Sequence, residues 1–448
     1  MARTVKAKKV TRRTLLAGAT KAAVTLGLAS GLSNVTGTKA RAAGQSYAGV
    51  HLVILSAADG NPGYRITSPY IPQWEQMTGA TVEFTEVAQD ALHAKAAQVL
   101  VARSSEVDLF WTWAGYTAEF GPAGLFKDVT ASISGATDVK DLVPGAMDAV
   151  SYRGRIYGLP RFFSIRSFYY NKRMFQEAGV DPTQAPRTWD EYVQTARKVT
   201  NPAKGQYGVL HQYGSNVGLL IDYQDHLVAT GGRMFDSKDR ITFTNALGLE
   251  ALEKYVELSR LGVVDPASFG LGESPAKRAR WIQGHSAMEW SWAGDYSMSN
   301  DPKISAIVNE VGVGLIPGIH VRSAAITGSE AYAVSAFTKN EKAAIDFLLF
   351  IASPAVQKDM SRRTGWYPVR WSAFNDPAVS AGNPMILNAK LQAQYPTYRF
   401  AAAYTNEVTD LLGPHLLAAI RGQETPKAAL AAAAAEVEPV VAKYRQRS

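Results

Sequence analysis

The sequence predicts an α/β protein built from two domains. Its 448 residues are more than one hydrophobic core usually serves. Between residues 49 and 114, short apolar or alternating runs follow one another with helical segments between them. Strand, helix, strand, helix, strand in this order is typical of a parallel sheet covered by helices. Cysteine is absent, which excludes disulfides and thiolate metal sites.

The first elements are predicted from hydrophobic period and from their end signals. The run GVHLVILSA is continuously apolar and ends in small residues, whereas ATVEFTEV alternates, and both patterns indicate strands. Gly79 supplies a stop for the helix before the second strand. The predicted elements are strands at 49–57, 80–87 and 107–114 and helices at 66–79 and 90–103.

The later elements carry clearer capping signals. Thr188 followed by Glu191 is a capping box, Asn245 is an N-cap, and Thr425 precedes Pro426 at a first helical position. The predicted strands are 157–171, 311–318 and 331–336, with a turn followed by a strand over 235–244 and a strand entering a loop over 286–298. The predicted helices are 172–180, one that begins after Thr188 within 181–200, 219–232, 245–262, 340–353, 353–365 and 425–446.

The positive net charge of +8 comes from the amino-terminal tenth of the chain. Residues 1–42 hold nine Lys or Arg and no acid, which leaves 38 bases against 39 acids in the remainder. Arg12-Arg13 before Leu15-Leu16, a weak apolar run and Ala40-Arg41-Ala42 predict a twin-arginine export signal over residues 1–43. The mature protein is then expected outside the cytoplasm, soluble, and cleaved near Ala42 or Ala43.

Several function classes are disfavoured by the sequence. A mature charge near zero gives no field for nucleic acid, and the chain has no Gly-Lys pair, no H-E-x-x-H and no G-x-S-x-G. We therefore expect no catalytic residues and no cofactor. Tyr169-Tyr170 could suggest a ferric-iron pair, but adjacent strand residues point to opposite faces, so no metal is expected.

Five blocks in register carry a family resemblance. They include DLFWTWAGYTAEFGPAGLF, GLPRFFSIRSFYYNKRMFQEAGVDP, ATGGRMFDSKDRITFTNALGLEALEKYVEL, WIQGHSAMEWSWAGDYSM and the segment from VGVGLIPG to GWYPVR. Together they resemble the extracellular solute-binding proteins of ABC importers, in the carbohydrate-binding group that includes maltose-binding proteins. The resemblance covers most of the mature chain.

The resemblance implies a periplasmic-binding-protein fold of two lobes, each a mostly parallel sheet flanked by helices, joined by a strand hinge. Lobe one is expected to hold 44–159 plus 318–365, and lobe two 160–317 plus 366–448. GLPRF and GLIPG would be the hinge crossings. Such a protein closes around a carbohydrate, polyol or sugar acid and delivers it to the transmembrane subunits of an ABC permease. We expect a monomer.

Aromatic rings that cover sugar faces, and polar groups that bind hydroxyls, are the expected ligand contacts. For any single ring, packing in the core is the more frequent role. The candidates, placed by the family's cleft positions, are Asp59, Tyr64, Trp111, Trp113, Tyr116, Ser164, Arg166, Trp290, Trp292, Asp295, Tyr296, Glu330, Trp366 and Tyr367.

Two departures from the family pattern leave the ligand class open. Ser164 stands four positions after the hinge proline, where relatives commonly have a carboxylate, and Ala114 replaces an acid that some relatives have. Arg166 lies on the same predicted strand face as Ser164 and either binds an anionic ligand or forms a structural ion pair. Two alternative functions stay open: a binding protein for a non-sugar anionic ligand, and a secreted carbohydrate-active enzyme, because paired carboxylates have no spacing signature in the sequence.

Overall fold

The computed structural model describes residues 46–57, 66–272 and 276–446. The export signal predicted over residues 1–43 lies outside these residues. The strands are β1 His51–Ala57, β2 Thr81–Val87, β3 Leu109–Thr112, β4 Ser151–Tyr152, β5 Arg155–Ile156, β6 Gly158–Phe162, β7 Ser167–Asn171, β8 Tyr207–Val209, β9 Ser286–Ser291, β10 Val311–Gly314 and β11 Glu330–Val334.

The helices are mostly short, and the longest closes the described chain. They are α1 Ile71–Thr78, α2 Gln89–Val101, α3 Ala114–Phe120, α4 Thr130–Ala136, α5 Pro144–Met147, α6 Lys172–Glu177, α7 Trp189–Val199, α8 Asn216–Ala229, α9 Ala246–Arg260, α10 Ala276–Trp281, α11 Ala293–Ser299, α12 Glu341–Ile351, α13 Pro354–Thr364, α14 Trp371–Phe374, α15 Pro377–Ser380, α16 Pro384–Gln392, α17 Thr405–Ile420 and α18 Pro426–Arg445.

The larger of the two main sheets has five strands in the order β2-β1-β3-β11-β6. The pairs β1–β2 and β1–β3 are parallel, as the alternation of strands and helices along the chain predicts. Strand β11 then runs antiparallel to both β3 and β6. Because β6 is antiparallel to β11, it runs in the same direction as β3, so four of the five strands share one direction and β11 is the reversed one. This sheet is therefore mostly parallel, as expected, with one reversed strand that comes from a distant part of the chain.

The second main sheet has four strands in the order β10-β7-β9-β8. Only the β8–β9 pair is parallel, so this sheet is mixed as well. Strand β7 is flanked on both sides by antiparallel neighbours, β9 and β10. All five of its residues, Ser167–Asn171, are buried, which explains the unbroken aromatic run from Phe168 to Tyr170.

The segment predicted as one strand over 157–171 forms two strands in two sheets. Strand β6 belongs to the five-stranded sheet and β7 to the four-stranded sheet. The residues between them make isolated bridges, Phe163 with Tyr367 and Ile165 with Thr327. The chain therefore passes from one sheet to the other between Phe162 and Ser167, and it returns between β10 and β11.

The helix ends agree with the capping signals. The Thr188 side chain accepts a hydrogen bond from the Glu191 N–H, and Thr425 does the same for Ala428. Gly79 takes the left-handed conformation that ends α1, with φ of 74°.

Two segments differ from the prediction. The turn expected within 235–244 is present, because the Asp236 carboxylate accepts from the backbone N–H groups of Lys238 and Arg240. The strand expected after it is reduced to an isolated bridge between Phe235 and Ile241. The loop expected after β9 is the helix α11. Among the described residues, no helix is long and apolar enough to cross a membrane.

Candidate ligand-binding site

Two segments with the same W-x-W-A-G pattern form the centre of the site. One runs from Trp111 to Gly115 and the other from Trp290 to Gly294. In each, the first tryptophan is buried within a strand, β3 or β9. The second tryptophan is half-buried and immediately precedes a helix, α3 or α11. Each main sheet therefore presents one indole beyond the carboxyl end of a strand.

These two indoles, Trp113 and Trp292, lie on either side of Arg399. The guanidinium carbon of Arg399 is 4.5 Å from the centre of the Trp113 ring and 5.8 Å from that of Trp292. Its Nη1 donates to the Thr327 carbonyl at 3.2 Å. A guanidinium attracted to indole faces stabilises the arrangement by about 1 kcal/mol at a partly exposed site. Arg399 thus joins the two tryptophan segments.

The Trp292 ring also passes very close to Gly328. A Cβ atom at Gly328 would lie 2.6 Å from the ring and 3.1 Å from Arg399 Nη1, which is too close for any side chain. Residues just before β11 reach this position because β11 runs antiparallel to β3, so that the start of one strand lies beside the end of the other.

A small pocket opens beside Trp113 and Arg399. Its volume is about 170 Å³ including its mouth. It is lined by Trp113, Ala114, Gly145, Asp148, Ala149, residues 327–329 and Arg399. Aromatic faces, backbone groups and two charged side chains therefore meet in one concave site, which is the composition of a small-molecule site.

Asp148 is the carboxylate of this pocket. It follows α5 and remains exposed to solvent although protein surrounds it on most sides. This partial burial raises the pKa of its carboxyl to about 6. Among the described residues no hydrogen bond or ion pair to its carboxylate is present, whereas Arg399 in the same pocket is stacked and hydrogen-bonded.

Under the pocket, the first tryptophan of the lobe-one segment is tied to a charged pair. Trp111 Nε1 donates to Glu330 Oε2 at 2.7 Å. Glu330 also forms an ion pair with the buried Arg161, whose guanidinium carbon lies 4.9 Å from the centre of the Tyr332 ring. Tyr116 packs against both Trp111 and Trp113, with ring centres 5.6 and 5.9 Å away.

Residues 70–385 match the family of bacterial extracellular solute-binding proteins. This chain belongs to that family. A probable amino-acid ABC transporter periplasmic-binding protein of Sinorhizobium fredii is 25% identical over 372 residues, 81% of this chain and 83% of that protein. A mannitol-binding protein of Pseudomonas aeruginosa is 29% identical over 236 residues, about half of each chain.

Solved structures show the same two-lobed fold. An ABC transporter solute-binding protein of Agrobacterium radiobacter K84, in complex with ribitol, superposes with a TM-score of 0.77 at 22% identity, over 88% of this chain and all of that one. The expected two-lobed fold is therefore confirmed for this solute-binding protein, with one reversed strand in each main sheet.

Arg166 lies behind Trp292 of this solute-binding protein, inside a buried cluster of charges. It forms ion pairs with Asp222 at 3.1 Å and Asp225 at 2.8 Å, and it donates to the Trp290 carbonyl. Its guanidinium carbon is 5.3 Å from the centre of the Trp292 ring. These contacts favour the structural interpretation of Arg166 over direct contact with an anionic ligand.

The same cluster holds a second ion pair, Lys277 with Glu289 at 3.1 Å. Burial raises the pKa of Glu289 and of Asp225 to about 7. Burial also acts to raise the pKa of Asp222, but its hydrogen bond from His211 and the nearby cations outweigh it and hold the pKa well below its usual range. These charges neutralise one another within the protein.

Other predicted contacts are buried away from the pocket. Asp295 forms an ion pair with Arg278 and accepts a hydrogen bond from Ser291. Its carboxylate is therefore buried and paired rather than exposed to solvent in a loop. Trp366 packs on Phe162, with ring centres 4.3 Å apart. The remaining positions are fully buried Tyr367, half-buried Tyr296, and Ser164, whose N–H donates to Ser329 of the pocket. Asp59 and Tyr64 lie outside the described residues.

The sequence analysis missed Asp148, Arg399 and the segment 327–329. The pocket was nevertheless signalled by the repeated W-x-W-A-G pattern, which places one half-exposed indole in each sheet. Tyr169 and Tyr170 are both buried in β7, and the described ranges contain no cluster of three or more His, Asp or Glu that could hold a metal ion.

Proposed function

We propose that this protein captures a small sugar or polyol at the Trp113–Arg399–Trp292 stack and delivers it to an ABC permease. The observation that carries the proposal is the pair of half-buried indoles, one from each main sheet, beside a pocket with an accessible carboxylate. Indole faces bind the C–H faces of sugars, and polar groups beside them bind hydroxyls. The polyols named for a relative and for a structural neighbour support this ligand class.

The lobe boundaries belong to the same proposal. We place 44–159 plus 318–365 in lobe one and 160–317 plus 366–448 in lobe two, because each set contains most of one main sheet. Trp113 and Trp292 both lie on Arg399 in this structure, and the form with its lobes closed around the ligand would dock on the permease. We also propose that the protein is exported through the predicted twin-arginine signal, that it is a monomer, and that it catalyses no reaction.

An amino acid is a second candidate ligand. Asp148 and Arg399 are opposite charges in one pocket, and such a pair can bind an ammonium and a carboxylate. The name of the Sinorhizobium fredii relative agrees with this alternative.

A thermal-shift screen followed by calorimetry tests the proposal. The purified protein is titrated with hexoses, pentitols and hexitols, with the matching sugar acids, and with amino acids. A specific ligand should raise the melting temperature with its concentration, by mass action. If only amino acids bind, the sugar proposal is wrong. If labelled oligosaccharides are cleaved by the protein, the assignment as a binding protein without catalysis is wrong.

A further inference from the structure

The two charged side chains of the pocket, Arg399 and Asp148, differ in the contacts that they make within the protein. The Arg399 guanidinium is covered by two indoles and donates to the Thr327 carbonyl, so the protein itself occupies it. Asp148 lines the same pocket and is exposed, and its carboxylate accepts no hydrogen bond from the described residues. A carboxylate has about four lone-pair sites, and a ligand can fill them.

We propose that Asp148 binds the hydroxyl groups of a neutral polyol or sugar and makes the pocket reject sugar acids. This proposal rests on the proposed function and narrows its ligand class. Two adjacent hydroxyls can donate to the two oxygens of one carboxylate, and charge-assisted hydrogen bonds of this kind are roughly twice as strong as neutral ones. An anionic ligand would instead place like charges together in a partly desolvated site.

The surroundings of Asp148 agree with a role in binding. Gly145, one helical turn before it, approaches Thr327 and Phe163 so closely that a Cβ would lie 2.9 and 3.1 Å from their side chains. Ser329 fixes the other wall, because its hydroxyl donates to the Gly145 carbonyl at 3.1 Å and accepts from the Ser164 N–H at 3.1 Å. The carboxylate is thus held in a rigid frame that does not itself bind it.

The pH dependence of binding follows from the same geometry. Arg399 is the one other charged side chain lining the described part of the pocket. Partial burial raises the pKa of Asp148 to about 6. Only the ionised form accepts two hydroxyl donors, so affinity should rise with pH through this value. The protein should bind the polyol roughly tenfold more weakly at pH 5 than at pH 7, because Asp148 is ionised in only about a tenth of the ligand-free molecules at pH 5.

The test compares Asp148→Asn with Glu106→Gln. Glu106 is an exposed acid before β3, at the opposite end of the strand from the pocket, so its variant makes the same charge change elsewhere. Calorimetry with ribitol, mannitol and gluconate at pH 5, 6 and 7 gives the affinities. We expect wild type to bind a neutral polyol and not gluconate. Asp148→Asn should bind the polyol about tenfold or more weakly at pH 7, and its affinity should no longer depend on pH. Glu106→Gln should match wild type.

Folding of the variant is checked independently. The raised pKa means that ionised Asp148 makes the folded state less stable above pH 6, so Asp148→Asn should melt at or above the wild-type temperature at pH 7. Unchanged polyol affinity in Asp148→Asn, or tighter binding of gluconate than of the polyol by wild type, would overturn the proposal for Asp148. If no sugar or polyol binds wild type at all, the proposed function itself has failed.

Discussion

The two W-x-W-A-G segments have the same local structure but different support. Both place a buried tryptophan in a strand and a half-buried one before a helix. Behind the segment that begins at Trp111, Tyr116 packs against both indoles, and Trp111 donates to one ion pair, Glu330 with Arg161. Behind the segment that begins at Trp290, the support is the buried charge cluster around Arg166, Asp222 and Lys277. The same motif therefore presents an indole from a base with one ion pair or from a cluster of several.

The difference separates charges that are paired inside the fold from a charge that remains accessible in the pocket. Behind the segment that begins at Trp290, the cations Arg166, Lys277 and Arg278 each form an ion pair with a buried carboxylate. Beside the first segment, the carboxylate of Asp148 remains accessible in the pocket. Burial of an ion pair adds little net stability, but removal of one partner is costly because the other charge stays buried.

Arg166 should therefore show the largest effect of any single substitution considered for the site. Arg166→Met leaves Asp222 and Asp225 buried without their arginine, and we expect a loss of about 3–5 kcal/mol in the free energy of unfolding. Arg399→Met is the matched control, since Arg399 also lies on Trp292 but is half-buried. It should lose only about 1–2 kcal/mol. Urea denaturation of both variants measures the difference, and equal losses would contradict it.

The two half-buried indoles should matter for binding more than for folding. Trp113→Ala and Trp292→Ala should each weaken polyol binding by about 2 kcal/mol, roughly 30-fold, because each removes an apolar face from the ligand. Trp371, half-buried on α14 against Phe374, provides the control Trp371→Ala. Calorimetry should show unchanged affinity for the control.

The supports of the two indoles add a second expectation. Trp292→Ala should destabilise the ligand-free protein more than Trp113→Ala, because it uncovers Arg166 to water. If Trp113→Ala retains full affinity, the ligand lies elsewhere than beside the stack.

Local signals in the sequence predicted most elements but not how distant ones combine. Thr188, Gly79 and Thr425 act within one turn of the chain, so the ends that they mark were confirmed. Strand β11 joins β3 from more than 200 residues away, and no periodic pattern records that its direction is antiparallel.

The site was predicted in part for the same reason. Trp113 and Trp292 stand directly after strands and were found from sequence. Arg399 reaches them from an irregular segment after α16, and Asp148 follows a single turn of helix, so neither has a local pattern that indicates a pocket. The burial of Arg166 and Asp295 depends on partners 17 to 124 positions away along the chain.

The smallest effect tests the supports directly, through the two buried tryptophans. Trp111 Nε1 donates to Glu330, whereas Trp290 Nε1 is buried with no hydrogen-bond partner among the described residues. Trp111→Phe and Trp290→Phe remove similar volumes from strand interiors, so their packing losses should be similar. Trp111→Phe should additionally lose the hydrogen bond to a charged group, about 1.5–3 kcal/mol, and Trp290→Phe should instead relieve an unsatisfied N–H.

We therefore expect the free energy of unfolding of Trp111→Phe to lie below that of Trp290→Phe by about 2 kcal/mol. Denaturation of both variants in urea at pH 7 measures this difference. A double variant with Glu330→Gln checks its origin, because the effect of Trp111→Phe should shrink once the acceptor is neutral. Equal stabilities of the two single variants would mean that the lobe-one segment is not held by its polar contact, and that both segments are stabilised by packing alone.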